Sequence, residues 1–104
     1  MQTHPKKRIE IVLEAPALNR LIDRLEKANV SGYTVLPALA GRGSGGGWSR
    51  EGLAGDAGRM VMVLCIIDGA RVDEVLEAAY GVVSRHIGIV AVSDVQVIRA
   101  EHFR

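Results

Sequence analysis

The chain opens with an alternation of apolar and polar positions. Between Arg8 and Glu14, one set of alternate positions is aliphatic and the other is mainly charged. This period of two predicts a strand with one buried face. Pro16 follows, a residue suited to the first turn of a helix. Apolar residues then recur at helical spacing, which predicts an amphipathic helix ending near Asn29: Leu18, Leu21, Ile22, Leu25 and Ala28.

Two further strands are predicted in the middle of the chain. Residues Gly32 to Ala40 form a second apolar segment, in which Pro37 indicates an edge strand or a bulge. Arg59 to Asp68 forms the third, and Met60 to Ile67 contains no polar residue. One covered face does not explain a strand that is apolar at every position.

The C-terminal third of the chain repeats the helix and strand signals. A second helix is predicted to start at Gly69, with an apolar stripe that continues to Val83. Two strand-like pieces follow, Ile89 to Val92 and Val95 to Arg99, separated by Ser93 and Asp94.

The predicted order is strand, helix, strand, strand, helix, strand, on a chain of 104 residues. That length fits one domain, 1–104, and the order is that of an α+β, ferredoxin-like βαββαβ fold with an antiparallel sheet. Right-handed connections place both helices on one face of the sheet. The apolar third strand requires a cover for the other face, and further copies of the chain are the simplest one. We therefore expect an oligomer.

A glycine-rich segment, Gly41 to Gly58, separates strands 2 and 3 and holds eight of the 12 glycines. We expect a long mobile loop there, without lasting regular structure. Its first residues match G-x-G-x-x-G, but no helix follows, and no Gly-Lys-Ser/Thr ending is present, so a Rossmann or Walker-type phosphate loop is excluded. Two interpretations remain: a plain hairpin tip, or a loop whose base binds phosphate.

In the functional interpretation, the backbone N–H groups of Gly41 and Gly43 approach a phosphate closely, because no Cβ blocks them. Arg42 and Arg50 add positive charge there. Trp48, the single tryptophan, is unusual in a polar loop. It either anchors a partner protein or folds back onto the subunit.

Composition narrows the function classes. The formal net charge of +1 argues against a nucleic-acid-coating protein. The apolar stretches are too short for membrane insertion and no signal-peptide pattern is recognised, so we expect a cytoplasmic protein. Cys65 is alone, and no serine, cysteine or lysine lies in a nucleophile motif, so no enzyme and no catalytic residue is predicted. The three histidines, His4, His86 and His102, are too scattered to predict a metal site.

Several short motifs, spread over nearly the whole chain, resemble the PII nitrogen-regulatory proteins: Lys7 to Val12, Gly32 to Val35, Gly41 to Gly43, Val72 to Val75, and Val92 to Arg99. The resemblance implies a homotrimer whose clefts bind adenine nucleotides between subunits. It also implies that a long loop, the T-loop (about 43–58 here), changes shape with ligand and engages a target protein, a transporter or an enzyme.

The resemblance also implies site residues. Thr34 contacts the adenine side, Gly41 and Gly43 line the cleft, Gly88 belongs to the phosphate-binding turn, and Arg99 reaches phosphate from the neighbouring subunit. The family's phosphate-binding lysine is absent, and Arg85 and His86 are the nearby cations. The second C-terminal arginine is replaced near Glu101. Both losses weaken triphosphate binding, so we expect ADP or AMP to be favoured over ATP.

Other details of the resemblance concern modification and a second ligand. The loop lacks the tyrosine that many members have uridylylated. Divergent PII-like proteins are associated with carboxysomes and with bicarbonate and other transport. Bicarbonate held near Arg42 is therefore a candidate second ligand.

Each predicted ligand contact has a purely structural alternative. Arg85 and His86 suit a helix C-terminus, and Gly88 suits a chain reversal. Two other functions stay open as well. A metal-tolerance or metal-sensing trimer needs a histidine or cysteine cluster between subunits. An RNA-binding or structural module is disfavoured by the near-neutral charge and the lack of aromatic residues on the strands.

Overall fold

A computed structural model describes residues 1–43, 46–49 and 59–104. The main sheet has four antiparallel strands in the order β2-β5-β1-β6. Two helices pack on one of its faces, so the predicted ferredoxin-like fold is confirmed. The elements are β1 (His4–Glu14), α1 (Leu18–Lys27), β2 (Thr34–Pro37), β3 (Ala40–Gly43), β4 (Gly46–Ser49), β5 (Met60–Ile67), α2 (Val72–Val83) and β6 (Gly88–Val97). Within the described part, no helix is long and apolar enough to span a bilayer.

The core lies between the sheet and the helices. The alternation predicted for the first strand buries Ile9, Ile11 and Leu13, each 0% exposed. Their partners across β1 and β5 lie on the same face and are buried as well. Helix residues close this layer: Leu21, Leu25, Val75, Ala79 and Val82.

The end of α1 shows how local backbone conformation prepares this packing. Asn29 has a φ of 62°, the left-handed conformation that ends many helices. The Val30 N–H donates to the Leu25 carbonyl at 3.0 Å, and the Asn29 N–H donates to the Glu26 carbonyl at 3.0 Å. This pair of bonds is a Schellman motif. The Arg71 guanidinium also donates to the Ala28 and Asn29 carbonyls, which ties the end of α1 to the start of α2.

The strands differ from the predicted ones at two places. The last strand is continuous, because Ser93 and Asp94 stay paired with β1 and the Lys7 ammonium forms an ion pair with the Asp94 carboxylate. The second strand ends at Pro37, whose missing N–H cannot donate to a neighbour. The prediction that Pro37 marks an edge strand is confirmed by the position of β2 at one end of the sheet.

The first part of the glycine-rich segment corrects a prediction. No lasting regular structure was expected from Gly41 onward, yet β3 and β4 pair as a two-stranded ribbon. Backbone hydrogen bonds alone suffice for such a ladder, so glycines opposite one another can form it. Residues 44–45 and 50–58 lie outside the described residues, and the predictions of a mobile loop and of a role for Arg50 fall there.

The sheet face opposite the helices is called the open face here. Its side chains come from alternate positions of four strands: Arg8, Glu10, Val12, Met62, Leu64, Ile66, Thr34, Leu36, Ile89 and Ala91. Leu36 and Ile89 remain 43% and 64% exposed. No helix of the described part packs on this face, whose centre is mainly apolar. The expectation that the sheet needs a second cover is consistent with this geometry.

Candidate functional site

A cleft of about 370 Å³ lies at the end of the open face. It is bounded by the end of β1, the ribbon strand β3, the start of β5 and the turn that leads from α2 into β6. Its lining residues are Val12, Arg42, Gly43, Met60, His86, Ile87, Gly88 and Ile89. Four of them, Arg42, Gly43, His86 and Gly88, were predicted from the sequence as ligand residues. We call this the arginine–histidine cleft.

The floor of this cleft requires a glycine at position 88. A Cβ there would lie 2.7 Å from the Val12 carbonyl oxygen and 3.1 Å from the Val83 side chain. The close approach of β6 to β1 explains the glycine. The chain reversal predicted at Gly88 occurs one step earlier, in the turn from Ser84 to Ile87, and Gly88 is the first residue of β6.

The polar groups of the cleft are arranged around His86. Its Nδ1 lies 3.0 Å from the Glu14 Oε1, and the two side chains are 24% and 26% exposed. The His86 Nε2 is shielded from solvent and has no hydrogen-bond partner among the described residues. Arg42 is exposed and brings a guanidinium to the same cleft. The cleft therefore combines the Arg42 guanidinium with a glycine backbone, a combination that suits an oxyanion.

A second, smaller cleft of about 260 Å³ lies at the β2 edge of the sheet. Thr34 lines it, together with Leu64, Ile66 and two residues of the C-terminal segment, His102 and Phe103. That segment forms a short 3-10 helix, Ala100–His102, directly after Arg99. The exposed Arg99 accepts the His102 N–H at its carbonyl, 3.1 Å away. We call this the threonine cleft.

The remaining predicted site residues lie outside both clefts. Gly41 pairs with Trp48 in the β3–β4 ribbon and does not line the arginine–histidine cleft. Arg85 is exposed on the turn after α2, and it too is not among the lining residues. The geometry therefore favours His86 over Arg85 as the residue that takes the place of the family's missing lysine. The side chain of Trp48 is not described.

The structure adds one residue that sequence reasoning missed. Glu14 ends the first strand and looks like any solvated carboxylate in the sequence, yet it is the partner of His86, 72 positions away. In the sequence, the only feature that marks Glu14 is its position at the end of the apolar–polar alternation of β1.

The described residues give little support for a cysteine nucleophile or a metal site. Burial raises the pKa of the Cys65 thiol to about 11, so this thiol is a poor nucleophile at neutral pH. In the ranges 1–43, 46–49 and 59–104, no group of three or more histidine, cysteine or acidic residues is placed to hold a metal.

Comparison with known proteins identifies the family. Residues 6–102 match the family model of the nitrogen regulatory protein P-II. Because that match covers most of the chain, the chain belongs to the PII family of signalling proteins, as the sequence motifs predicted. Curated protein sequences yield no match.

Solved structures of PII-like proteins resemble this chain over nearly its whole length. One is CPII, a nitrogen regulatory PII-like protein from Thiomonas intermedia K12, bound to ADP, AMP and bicarbonate. It is 31% identical with a TM-score of 0.89, and the alignment covers 99% of this chain and 97% of that chain. CPII bound to ADP and bicarbonate is 33% identical with a TM-score of 0.84, covering 99% and 98%. A PII-like signalling protein from Thermus thermophilus shares the fold, with 24% identity, a TM-score of 0.82 and 100% coverage of both chains.

Proposed function

We propose that this protein is a non-enzymatic regulator that binds ADP or AMP between the subunits of a homotrimer. ADP and AMP are favoured over ATP, and bicarbonate is a second ligand. The ligand state is passed to a target protein, a transporter or an enzyme, through the glycine-rich segment 43–58. Membership in a family of signalling proteins supports the regulatory part of this proposal.

The observation that carries the proposal is the division of the predicted ligand residues between two clefts. Arg42, Gly43 and His86 lie at one cleft, whereas Thr34 and Arg99 lie at or beside the other. The strands β6 and β2, which border these clefts, are the opposite edges of the sheet. Three strand spacings separate them, roughly 14 Å. Each cleft thus holds part of a binding site, and a neighbouring copy would supply the rest.

The open face supports association of copies. Both clefts have lining residues on this face: Val12 and Ile89 in one, and Thr34, Leu64 and Ile66 in the other. Exposed apolar surface of this kind is commonly an interface. A trimer that buries the open face would bring the edge of one subunit to the edge of the next.

The ligands are proposed from the relatives. CPII is bound to ADP, AMP and bicarbonate in one structure and to ADP, AMP and acetate in another, the latter at 30% identity. The arginine–histidine cleft supports binding of small oxyanions, because it offers a guanidinium and glycine backbone. Its described lining contains no lysine, which supports preference for the shorter phosphate chains.

The route to the target is proposed from the position of the ribbon. Arg42 and Gly43 line the cleft and also belong to β3, so a ligand there contacts the base of segment 43–58 directly. Trp48 and Arg50 are proposed to contact the target further along this segment.

Calorimetric titration tests the binding proposal. ATP, ADP, AMP and cyclic AMP are titrated into the purified protein, with and without bicarbonate, and the mass in solution is measured by sedimentation. We expect a mass of three 11.2 kDa chains and tighter binding of ADP and AMP than of ATP. A monomer that binds none of these nucleotides would contradict the proposal.

A matched pair of arginine variants tests the composite site. Arg99→Ala should weaken ADP binding about tenfold or more by removing a charge-assisted contact, while the sedimentation mass stays unchanged. Arg20→Ala, an exposed arginine on the outer side of α1, is the control and should leave the affinity as it is. Equal affinities of the two variants would refute the role of Arg99.

A further inference from the structure

Arg71 joins three separate parts of the chain through one guanidinium. It directly precedes α2, and its side chain is 21% exposed. One guanidinium nitrogen donates to the Asn29 carbonyl at 3.1 Å and to the Arg104 carbonyl at 3.2 Å, and another donates to the Ala28 carbonyl. The Nε donates to the Glu74 carboxylate on α2 at 2.6 Å. The side chain therefore links the end of α1, the start of α2 and the C-terminal segment.

This arrangement depends on the shape of an arginine side chain. A planar guanidinium offers five N–H donors in fixed directions, so it can hold several carbonyl oxygens at once. Two of the acceptors belong to the end of α1, where a helix leaves carbonyls without partners of its own. The third acceptor, the Arg104 carbonyl, lies in neither helix. A side chain that only joined the two helices would not need this third acceptor.

The segment held by Arg71 forms one wall of the threonine cleft. His102 and Phe103 line that cleft, and Phe103 is half-buried. A short 3-10 turn leads into the wall, and the Phe103 N–H donates to the Ala100 carbonyl at 3.1 Å. The bond from Arg71 to the Arg104 carbonyl fixes the chain one residue beyond the Phe103 ring.

A second wall of the same cleft is also tied to the end of α1. Tyr33 lines the cleft just before β2, and its hydroxyl donates to the Glu26 carboxylate at 3.0 Å. Glu26 lies in the last turn of α1, two residues before the Ala28 carbonyl that Arg71 holds. The end of α1 is therefore connected to both aromatic residues of the cleft, to Tyr33 through Glu26 and to Phe103 through Arg71.

The lining of the threonine cleft suits a flat heteroaromatic base. It contains Tyr33 and Phe103, the aliphatic Leu64 and Ile66, and the polar Thr34. Bases stack on aromatic rings, and a few polar groups orient a ligand in a mainly apolar pocket. Stacking requires the ring at a defined position. If the wall were free to move, the ligand would have to order it, and affinity would be lost.

We propose that Arg71 is a positioning residue for the base side of the nucleotide site, because it holds the Phe103 wall of the threonine cleft in place before the ligand binds. Arg71 does not line this cleft and acts through the C-terminal segment. The inference rests on the proposed function, since it takes the threonine cleft as the place where the adenine binds. The competing role for Arg71 is to stabilise the contact between α1 and α2 alone.

The first test measures ADP affinity by calorimetry in wild type, Arg71→Gln and Arg71→Lys. Arg71→Gln should weaken binding about two- to tenfold, the range expected when a ligand has to order a side chain itself. Arg71→Lys should lie between the two, because an ammonium does not offer the fixed fork of a guanidinium. Arg20→Gln is the control, the same change at an exposed arginine of α1, and should leave the affinity unchanged. Circular dichroism and sedimentation mass check folding and assembly.

A double-mutant cycle distinguishes positioning from helix stabilisation. Phe103→Ala should weaken ADP binding about fivefold or more through lost stacking. If Arg71 acts through this ring, adding Arg71→Gln to Phe103→Ala should cost less than about twofold more. Combined with Arg42→Ala in the other cleft, the two factors should multiply, as for independent sites. The same factor for Arg71→Gln with and without Phe103 would overturn the inference. Arg71→Lys takes its place in both cycles if Arg71→Gln does not assemble.

Amide hydrogen exchange without ligand provides a readout of the wall itself. Arg71→Gln should exchange faster than wild type in residues 99–104, with α1 and α2 unchanged. Unchanged exchange in 99–104, or faster exchange in the two helices alone, would overturn the inference. If wild type binds ADP and Arg71→Gln binds it equally well, the inference is wrong and the proposed function stands. If wild type binds no nucleotide, both are wrong.

Discussion

The alternation of side chains along β1 and β5 produces both faces of the sheet, but the two faces differ in how deeply their side chains are buried. On the helix side, Ile11 and Val63 face each other and are each 0% exposed. On the open face, Val12 and Met62 face each other only half-buried. One helix layer covers the first face, and no described element covers the second.

This difference separates what holds one subunit together from the face through which we propose that subunits associate. The helix side is complete within a single chain, so its packing determines the stability of the fold. The open face has an accessible apolar surface beside a few polar and charged residues. Both candidate clefts have lining residues on it, so the proposed association of copies would also affect the proposed ligand sites.

The largest expected effect is on the helix side. Leu21→Ala removes a side chain that is 0% exposed and should lower the free energy of unfolding by about 2–5 kcal/mol. Leu36→Ala on the open face, 43% exposed, should cost less than about 1 kcal/mol at high dilution. Urea unfolding measures both. The effect of Leu36→Ala on the free energy of unfolding should grow with protein concentration if copies cover this face. If that effect did not change with concentration, the proposed cover of the open face would be wrong.

A second test concerns the point where the helix side meets the arginine–histidine cleft. Gly88→Ala places a Cβ 2.7 Å from the Val12 carbonyl oxygen, a backbone atom that cannot move easily. We expect a loss of about 1–3 kcal/mol in the free energy of unfolding, through forced backbone shifts. Gly32→Ala is the matched control, since no atom lies within 4 Å of its added Cβ. Equal stabilities of the two variants would show that β6 does not require this close approach.

A third test addresses the open face alone. Ile89→Glu introduces a carboxylate at a position that is 64% exposed in one chain and is proposed to be covered in the trimer. Desolvation of that charge should weaken association at least about tenfold, or roughly 1.4 kcal/mol. Sedimentation should detect a lower mass, with an unchanged far-ultraviolet circular dichroism spectrum. Asn19→Glu on the exposed side of α1 adds the same charge and should leave the mass unchanged.

The smallest effect is expected from the ion pair between Arg8 and Glu10 on the open face. Both side chains are about a third exposed, and such pairs contribute less than about 1 kcal/mol. Glu10→Gln should therefore change the unfolding free energy of the dissociated chain only slightly. A larger loss at high protein concentration than at low concentration would place this pair in the interface.

Much of the fold was predictable because it depends on local periodicity. The alternation around Ile9 to Leu13, the helical stripe containing Leu21 and the position of Pro37 each predicted an element that the structure contains. The β3–β4 ribbon was not predictable, since a ladder between glycines leaves no pattern of side chains. Continuation of β6 through Ser93 and Asp94 depended on Lys7, a partner far away in the sequence.

For the candidate site, the sequence by itself indicated the family and predicted a set of ligand residues, including Arg42, His86, Thr34 and Arg99. Only the tertiary structure decided how they group. The strand order places Thr34 and Gly88 at opposite edges of the sheet, and the end of β1 brings Glu14 to His86. The physical reason is that motifs report local chemistry, whereas the strand order and the pairing of residues 72 positions apart arise from packing around the core.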